Sequence, residues 1–381
     1  MPMMIRPLLR RRPHLSAALV MLLAGHTQSV AAYEPLTPND YTITVVADSL
    51  DHPWSLAFLP DGRLLVTERA GQLRIVDKGK VSAPVTGVPA VFAKSQGGLF
   101  DVVLHPDFET NGWLYLSYAY GTDDANATRL ARARLVDNSL VDVTVLFTAT
   151  PFRDTPVHFG GRMAFLPDKT LLLAIGDGFD YREQAQRNDS HLGTFVRLND
   201  DGSVPADNPF VDDVKVLPEI WSYGHRNPQA IVVHPDTGKV LSHEHGPAGG
   251  DEVNRMEPGL NYGWPIATYG DDYSGAAISP FTHYPGTEQP LLHWTPSIAP
   301  AGMAIGHGDA FPALQGDWLV AALKAREVRR VHINEDQSLT QQSLLTELGK
   351  RLRDIRVASD GTLYILTDSS EGKVLHVTPN P

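Results

Sequence analysis

Apolar residues in this chain fall in short alternating runs that break at Pro-Asp or Pro-Asp-Gly and resume as a second run, the pattern of a strand, a tight turn and a strand. Six copies of the unit are legible. They are Trp54 to Val66, Leu99 to Asp107 with Trp113 to Leu116, Arg162 to Asp168 with Leu171 to Ile175, Gln229 to Gly238, a degenerate copy from Met303 to Leu323, and Ile355 to Leu366. Their spacing is uneven, roughly 45 to 75 residues, as expected where loops have grown between strands. Repetition of small antiparallel units with few helical-period stretches predicts an all-β fold, a six-bladed β-propeller with long inter-strand loops and its site at one mouth. A large sandwich would not return the same unit in the same order. A strand near Tyr41 to Ala47 is expected to pair with Lys373 to Val377 and close the ring.

Composition narrows the classes. At 42% apolar and 20% charged residues the chain has enough apolar side chains to fold. It carries a formal charge of −12, and since four arginines and no acids sit in the first 32 residues the remainder carries −16, which argues against a nucleic-acid surface. With no cysteine there are no disulfides, thiolate nucleophiles or cysteine-held metals, so any metal is bound by oxygen or imidazole. Arg6, Arg10, Arg11 and Arg12 precede an apolar run from Leu15 to Ala24, and Val30-Ala31-Ala32 follows as a small-residue cleavage point. This is the signal-peptide pattern, so residues 1–32 are expected to be a cleaved leader and 33–381 one propeller domain, periplasmic or secreted, with no membrane anchor.

Polar clusters near the repeat strands are the candidate chemistry. Gln96-Gly97-Gly98 offers an amide beside glycines that let backbone approach a ligand closely. His158-Phe-Gly-Gly-Arg162 offers an imidazole whose ordinary pKa suits proton abstraction near neutrality, although single histidines are more often structural. Gly224-His-Arg-Asn-Pro-Gln229 contributes Arg226, whose planar guanidinium suits carboxylate or quinone oxygens. His243-Glu-His-Gly-Pro-Ala-Gly-Gly-Asp-Glu252 is a loop able to turn carbonyls and carboxylates onto a hard cation. Its composition favours calcium over zinc, because His243 and His245 are expected on opposite faces of an extended segment. Lys324, Arg351, Arg353 and Asp368 form a dispersed cationic set in which Arg351 and Arg353 share a face if extended. No Gly-x-Ser-x-Gly elbow, Walker loop or dinucleotide fingerprint is present.

In this order, His158-Phe-Gly-Gly-Arg162, Tyr223-Gly-His-Arg-Asn-Pro-Gln229, Gly246-Pro-Ala-Gly-Gly-Asp-Glu-Val-Asn254, Asn261-Tyr-Gly-Trp-Pro265 and Ser297-Ile-Ala-Pro-Ala-Gly-Met303 resemble the soluble pyrroloquinoline-quinone-dependent sugar dehydrogenases, the glucose/sorbosone or aldose sugar dehydrogenase family. The resemblance spans most of residues 41–378. It implies a six-bladed propeller that oxidises the anomeric C1 hydroxyl of aldoses to the lactone and passes electrons to an external acceptor such as a quinone, cytochrome or dye. It makes His158 the general base and Arg226 the residue that polarises the quinone oxygen. Gln96, Asn227, Lys324, Arg351, Arg353 and Asp368 join those two as cofactor contacts. The carbonyls of Gly246 and Pro247 resemble ligands of an active-site Ca²⁺. Glu252 and the carbonyl of Tyr262 resemble a second, structural calcium site, with Leu260 to Trp264 ordering a loop. Ala248 and Ala301 stand where polar side chains are common, which points to broad aldose oxidation rather than glucose specificity. The expected assembly is a monomer or homodimer. Two other functions fit a propeller: a calcium-dependent sugar lactonase in which His158 activates water, and a non-catalytic carbohydrate- or protein-binding module.

Overall fold

Strands this short, with turn residues between them, pair first with their sequence neighbours, and the computed structural model is built entirely in that way. It describes residues 33–381, so the leader expected over 1–32 lies outside the described residues. Six four-stranded antiparallel sheets follow one another along the chain. Their innermost strands are Pro53–Phe58, Leu99–Leu104, Gly160–Phe165, Pro228–Val233, Pro300–Ile305 and Leu352–Val357, and these pack side by side around a central axis. We call the sheets blades one to six. Each strand pair read from sequence is the inner half of a blade, and the outer half varies widely, from the two-residue Lys80–Val81 of blade one to the eleven-residue Asn126–Val136 of blade two.

The expected closure is present. Tyr41–Leu50 forms the outer strand of blade six and pairs with Gly372–Pro379, Ile43 lying opposite Val377 and Val45 opposite Leu375. The fold is thus the six-bladed β-propeller predicted from the repeats. Among the described residues no helix is long and apolar enough to cross a membrane.

The apolar core is divided into wedges between neighbouring blades. Leu65 and Ile75 of blade one meet Val102 and Leu114 of blade two, Leu319 and Val328 of blade five meet Leu352 and Ile355 of blade six, and Leu50, Leu366 and Val374 of blade six meet Leu56 and Val66 of blade one. The axis itself is polar. Arg162 of blade three lies 3.1 Å from Asp354 of blade six and 3.7 Å from Asp101 of blade two, while Arg356 reaches Asp354 at 3.0 Å and Asp101 at 3.2 Å. Arg162 also donates to the Gln229 carbonyl at 2.8 Å and sits 4.0 Å over the Trp54 ring. This network of buried Arg162, Asp101 and Asp354 with the partly exposed Arg356 ties blades two, three and six across the channel.

Deleting residues 33–48 removes most of the closing strand, bares the edge of Gly372–Pro379 and takes Tyr41 and Ala47 out of the wedges beside blade six. The expected outcome is a fall in melting temperature of roughly 10 °C or more. A melt like that of the full chain would show that the ring does not depend on this closure.

Candidate active site

Every inner strand is irregular where it enters the ring. Pairing with the second strand slips between Pro53 and Ser55, Leu99 and Val102, Gly160 and Met163, Pro228 and Ala230, Pro300 and Met303, and Leu352 and Asp354. A bulge frees the side chains within it from the alternation of the sheet. Four residues released in this way, Trp54, Phe100, Gln229 and Arg353, line one cavity of about 240 Å³ at this mouth. Gln96, Asn227, Arg351 and Asp368 line the same cavity, so five of the residues selected from sequence gather there.

His158 lies in the wall of this mouth. Its backbone has a left-handed φ of 52°, a conformation non-glycine residues adopt at a cost of about 1–3 kcal/mol. Three groups hold it there. Its N–H donates to Gln96 Oε1 at 2.9 Å, its carbonyl accepts from Arg153 Nη2 at 3.2 Å, and a Cβ at Gly176 would run into that same carbonyl. The imidazole Nδ1 lies 2.7 Å from Oδ1 of Asp177, which is fully buried and also accepts from Phe179 N and Trp264 Nε1 at 2.8 Å each. Burial alone would raise Asp177, but His158 and Arg226 hold its pKa below the ordinary carboxylate value, so it stays ionised. An ionised acceptor requires the proton on Nδ1 of His158 and leaves Nε2 with a free lone pair. Burial also lowers the His158 pKa below 6.5, outweighing the opposing charge of Asp177.

Arg226 lines a second cavity, of about 260 Å³, with Phe179, Trp264, Tyr273, Arg182 and Pro247. Its Nη1 donates to the carbonyls of His245 and Gly246 at 3.1 and 2.8 Å, its Nε has no partner, and its guanidinium lies 5.3 Å over the Trp264 ring. His158 lies between the linings of the two cavities, since Gln96 of one holds its backbone and Phe179 of the other meets its ring edge-on at 5.1 Å. Leu260 to Trp264 was expected only to order a loop; instead Trp264 supplies the indole that fixes Asp177 and the wall under Arg226.

The first cavity is cationic. Arg351 and Arg353 meet Asp368 at 3.0 and 3.3 Å, having converged across the bulge as their spacing suggested. Arg353 Nε is buried without a partner. Asn227 Oδ1 accepts from Gly160 N at 3.3 Å and Gln229 Nε2 at 3.2 Å. Lys324 is exposed beside the cavity-lining Leu323, and its ammonium makes no ion pair or hydrogen bond among the described residues. The glycines after Gln96 serve packing between blades rather than ligand approach, because a Cβ at Gly98 would run into the Arg69 carbonyl. Orphaned guanidinium nitrogens around a cavity lined by three arginines, Arg69 being the third, and one carboxylate fit a planar polyanion such as a tricarboxylate quinone.

The expected metal ligands fit less evenly. The Gly246 carbonyl accepts from Arg226 Nη1 at 2.8 Å, which uses one of its two lone pairs and sets a guanidinium beside any cation bound there. Glu252 lies across the strand pair from Glu244, next to the unpartnered Oδ1 of buried Asn254, and burial with the Glu244 charge pushes its pKa up to about 8. That carboxylate fits a cation. The Tyr262 ring is stacked 4.6 Å from His225 and its hydroxyl lies between Glu257 N and Arg255 O, which fixes the residue whose carbonyl was the expected ligand. The expectation that His243 and His245 diverge does not follow from strand geometry, since residues two apart on a strand share a face, and burial together with the nearby His245 holds the His243 pKa well below 6.5. Among the described residues no three imidazole or carboxylate groups converge on a metal position.

The sequence selection missed Asp177, Trp264 and Arg69. Asp177 sits between glycines directly after the strand Leu171–Ile175, at the same end as His158, and that placement was its available signal.

Comparison with known proteins adds the following. The family model for glucose/sorbosone dehydrogenase matches residues 50–376. An aldose sugar dehydrogenase of Escherichia coli is 44% identical over 349 residues, 90% of this chain and 94% of that protein. Quinoprotein glucose dehydrogenase B of Acinetobacter calcoaceticus is 27% identical over 471 residues, 97% of each. The crystal structure of the soluble aldose sugar dehydrogenase from Escherichia coli, in its apo-form, matches with a TM-score of 0.86 at 43% identity, covering 89% of this chain and 100% of that one. The PQQ-bound aldose sugar dehydrogenase of Streptomyces coelicolor matches at 0.73 and 26%, covering 91% and 100%.

The geometry fixes a tautomer that can be observed directly. Nitrogen-15 NMR of labelled protein is expected to show His158 neutral at pH 7, protonated on Nδ1, and gaining its second proton only below pH 6.5. Asp177→Asn removes a charge that raises this pKa and should lower it further. A His158 that titrates at or above 6.5 would contradict the arrangement.

Proposed function

The chain belongs to the glucose/sorbosone dehydrogenase family, and on that premise we propose that it oxidises the C1 hydroxyl of aldose sugars to the lactone as a quinoprotein. The observation that carries this reading is the position of His158, a neutral imidazole held by a buried carboxylate between a cationic cavity and an aromatic one.

In this reading Gln96, Asn227, Arg351 and Arg353 hold pyrroloquinoline quinone in the cationic cavity, with Lys324 at its rim and Asp368 keeping the two arginines together. When bound, the quinone supplies the two-electron acceptor for the hydrogen leaving C1 as hydride. The protein does the rest. Phe179, Trp264 and Tyr273 offer ring faces to the C–H face of a pyranose in the adjoining cavity. His158 Nε2 accepts the hydroxyl proton, and Asp177 stabilises the imidazolium that results without taking the proton itself. Arg226, whose Nε is uncommitted, provides positive charge where negative charge builds up during oxidation. An external acceptor then carries the electrons away. Calcium at Glu252 serves as a structural ion, and calcium on the carbonyls of Gly246 and Pro247 shares the Gly246 oxygen with Arg226. The leader pattern of residues 1–32 supports export to the periplasm or beyond.

Dye reduction by metal-stripped protein, with a panel of aldoses and with or without calcium and pyrroloquinoline quinone, tests this reading. Activity that needs the quinone is expected. Inactivity of the reconstituted, folded protein would overturn it, and hydrolysis of sugar lactones by the same samples would identify the lactonase instead. His158→Ala should lower turnover by about 10² to 10⁴ while cofactor binding persists; near-normal turnover would remove His158 from the role of base. Saturating calcium should stabilise the protein by about 2.7 kcal/mol at a hundredfold excess over Kd. Glu252→Gln should abolish that gain in a thermal melt, and an equal gain in the variant would move the ion elsewhere.

A further inference from the structure

Arg69 has no part in the mechanism above, yet its place in the fold is not incidental. It is the residue directly after the second strand of blade one, Leu64–Glu68. The same position holds Gly176 in blade three, His245 in blade four, Leu323 in blade five and Asp368 in blade six. Arg69, His245, Leu323 and Asp368 all line the cationic cavity, and Gly176 abuts the carbonyl of His158. The end of the second strand is thus a position from which the blades face the mouth.

The stem of Arg69 is fixed. Its N–H donates to the His52 carbonyl at 3.1 Å and its carbonyl accepts from Leu99 N at 3.0 Å, so its backbone is clamped between blades one and two. Only a glycine at position 98 permits that approach. The guanidinium, in contrast, makes no ion pair and no side-chain hydrogen bond among the described residues. Its neighbour Glu68 is committed elsewhere, to Arg74 at 2.6 Å and to the N–H of Asp51 at 2.6 Å. The one carboxylate lining the cavity, Asp368, is already shared by Arg351 and Arg353. The charge of Arg69 nevertheless reaches both Asp368 and Arg353. A half-buried guanidinium on a rigid stem, facing a cavity with excess positive charge, is costly unless an anion completes it.

We propose that Arg69 is a direct binding residue for the anionic cofactor, grasping one of its carboxylates from blade one while Arg351 and Arg353 hold it from blade six. This inference rests on the quinoprotein reading, and the experiment separates the two. Binding of pyrroloquinoline quinone to the full-length apoprotein is measured by equilibrium dialysis and absorbance for the wild type and Arg69→Gln, at low and high salt. The variant is expected to bind roughly ten- to a hundredfold more weakly, the scale of one charge-assisted contact, with a shallower salt dependence and an unchanged melt of the unliganded protein. Equal affinity and equal salt dependence would overturn the role of Arg69 and leave the cofactor reading intact. A folded wild type that does not bind the quinone would overturn the cofactor reading itself. Modification of the wild type by phenylglyoxal, mapped by peptide mass, needs no variant to fold: Arg69 should be protected by added quinone, and modification unaffected by it would also sink the assignment.

Discussion

The apolar surface of this chain can be buried only where one blade meets the next, and that constraint organises everything else. Each wedge needs two blades, so each blade is stable only within the ring, and the ring has to be complete. Six wedges account for the bulk of the core and leave the axis to polar groups. There the chain places Arg162, Asp101, Asp354 and Arg356 in mutual contact, a set in which loss of one partner would leave an uncompensated buried charge. Asp101 and Asp354 directly follow Phe100 and Arg353 in sequence, and Trp54 lies beneath Arg162. The residues that line the cavity are therefore neighbours, in sequence or in space, of the charges that close the channel beneath it.

The same logic explains how a regular fold carries an irregular site. Inside each blade the alternation of the sheet commits side chains to one face or the other, and a break in pairing frees a side chain to turn toward the mouth. All six inner strands break pairing at the same end, so the mouth is the one place where six blades each offer an unpaired position. The His158 segment extends this pattern, with its left-handed backbone followed by two glycines at the entry of blade three. Its imidazole is oriented by Asp177 from the next strand end and by Trp264 from the loop between the third and fourth strands of blade four, so three separate stretches of chain determine one proton position.

These features also explain what could be read in advance. The inner hairpins are legible because their strands are apolar and their turns carry Pro-Asp or Pro-Asp-Gly, whereas outer strands such as Lys80–Val81 are short and polar and look like loop. The closing strand was legible because Tyr41 to Ala47 has strand character and no partner nearby in sequence. At the site, His158, Arg226, Arg351 and Arg353 were found because they lie in dense polar motifs. Asp177 and Arg69 were not, because each acts alone from a place whose meaning is set by blade geometry, a single acid between glycines and an arginine after an apolar strand; Trp264 stood in a quoted motif, but its contact with Asp177 depends on a loop of blade four reaching the entry of blade three. Family motifs also carried an expectation that the geometry qualifies, since the Gly246 carbonyl faces a guanidinium.

The pairing of Ile43 with Val377 links nearly the first described residue to nearly the last. During synthesis the strand that completes blade six is therefore made early and must wait, unpaired, until almost the whole chain has emerged. Five blades can assemble in order behind it, but the wedges on both sides of blade six stay open to solvent until the final strand arrives. Folding of this protein thus has a late, long-range step by construction, the kind of contact that slows folding and prolongs exposure of strand edges. An incomplete chain would have no closed ring, so chain completion itself acts as a check on which molecules reach the native state.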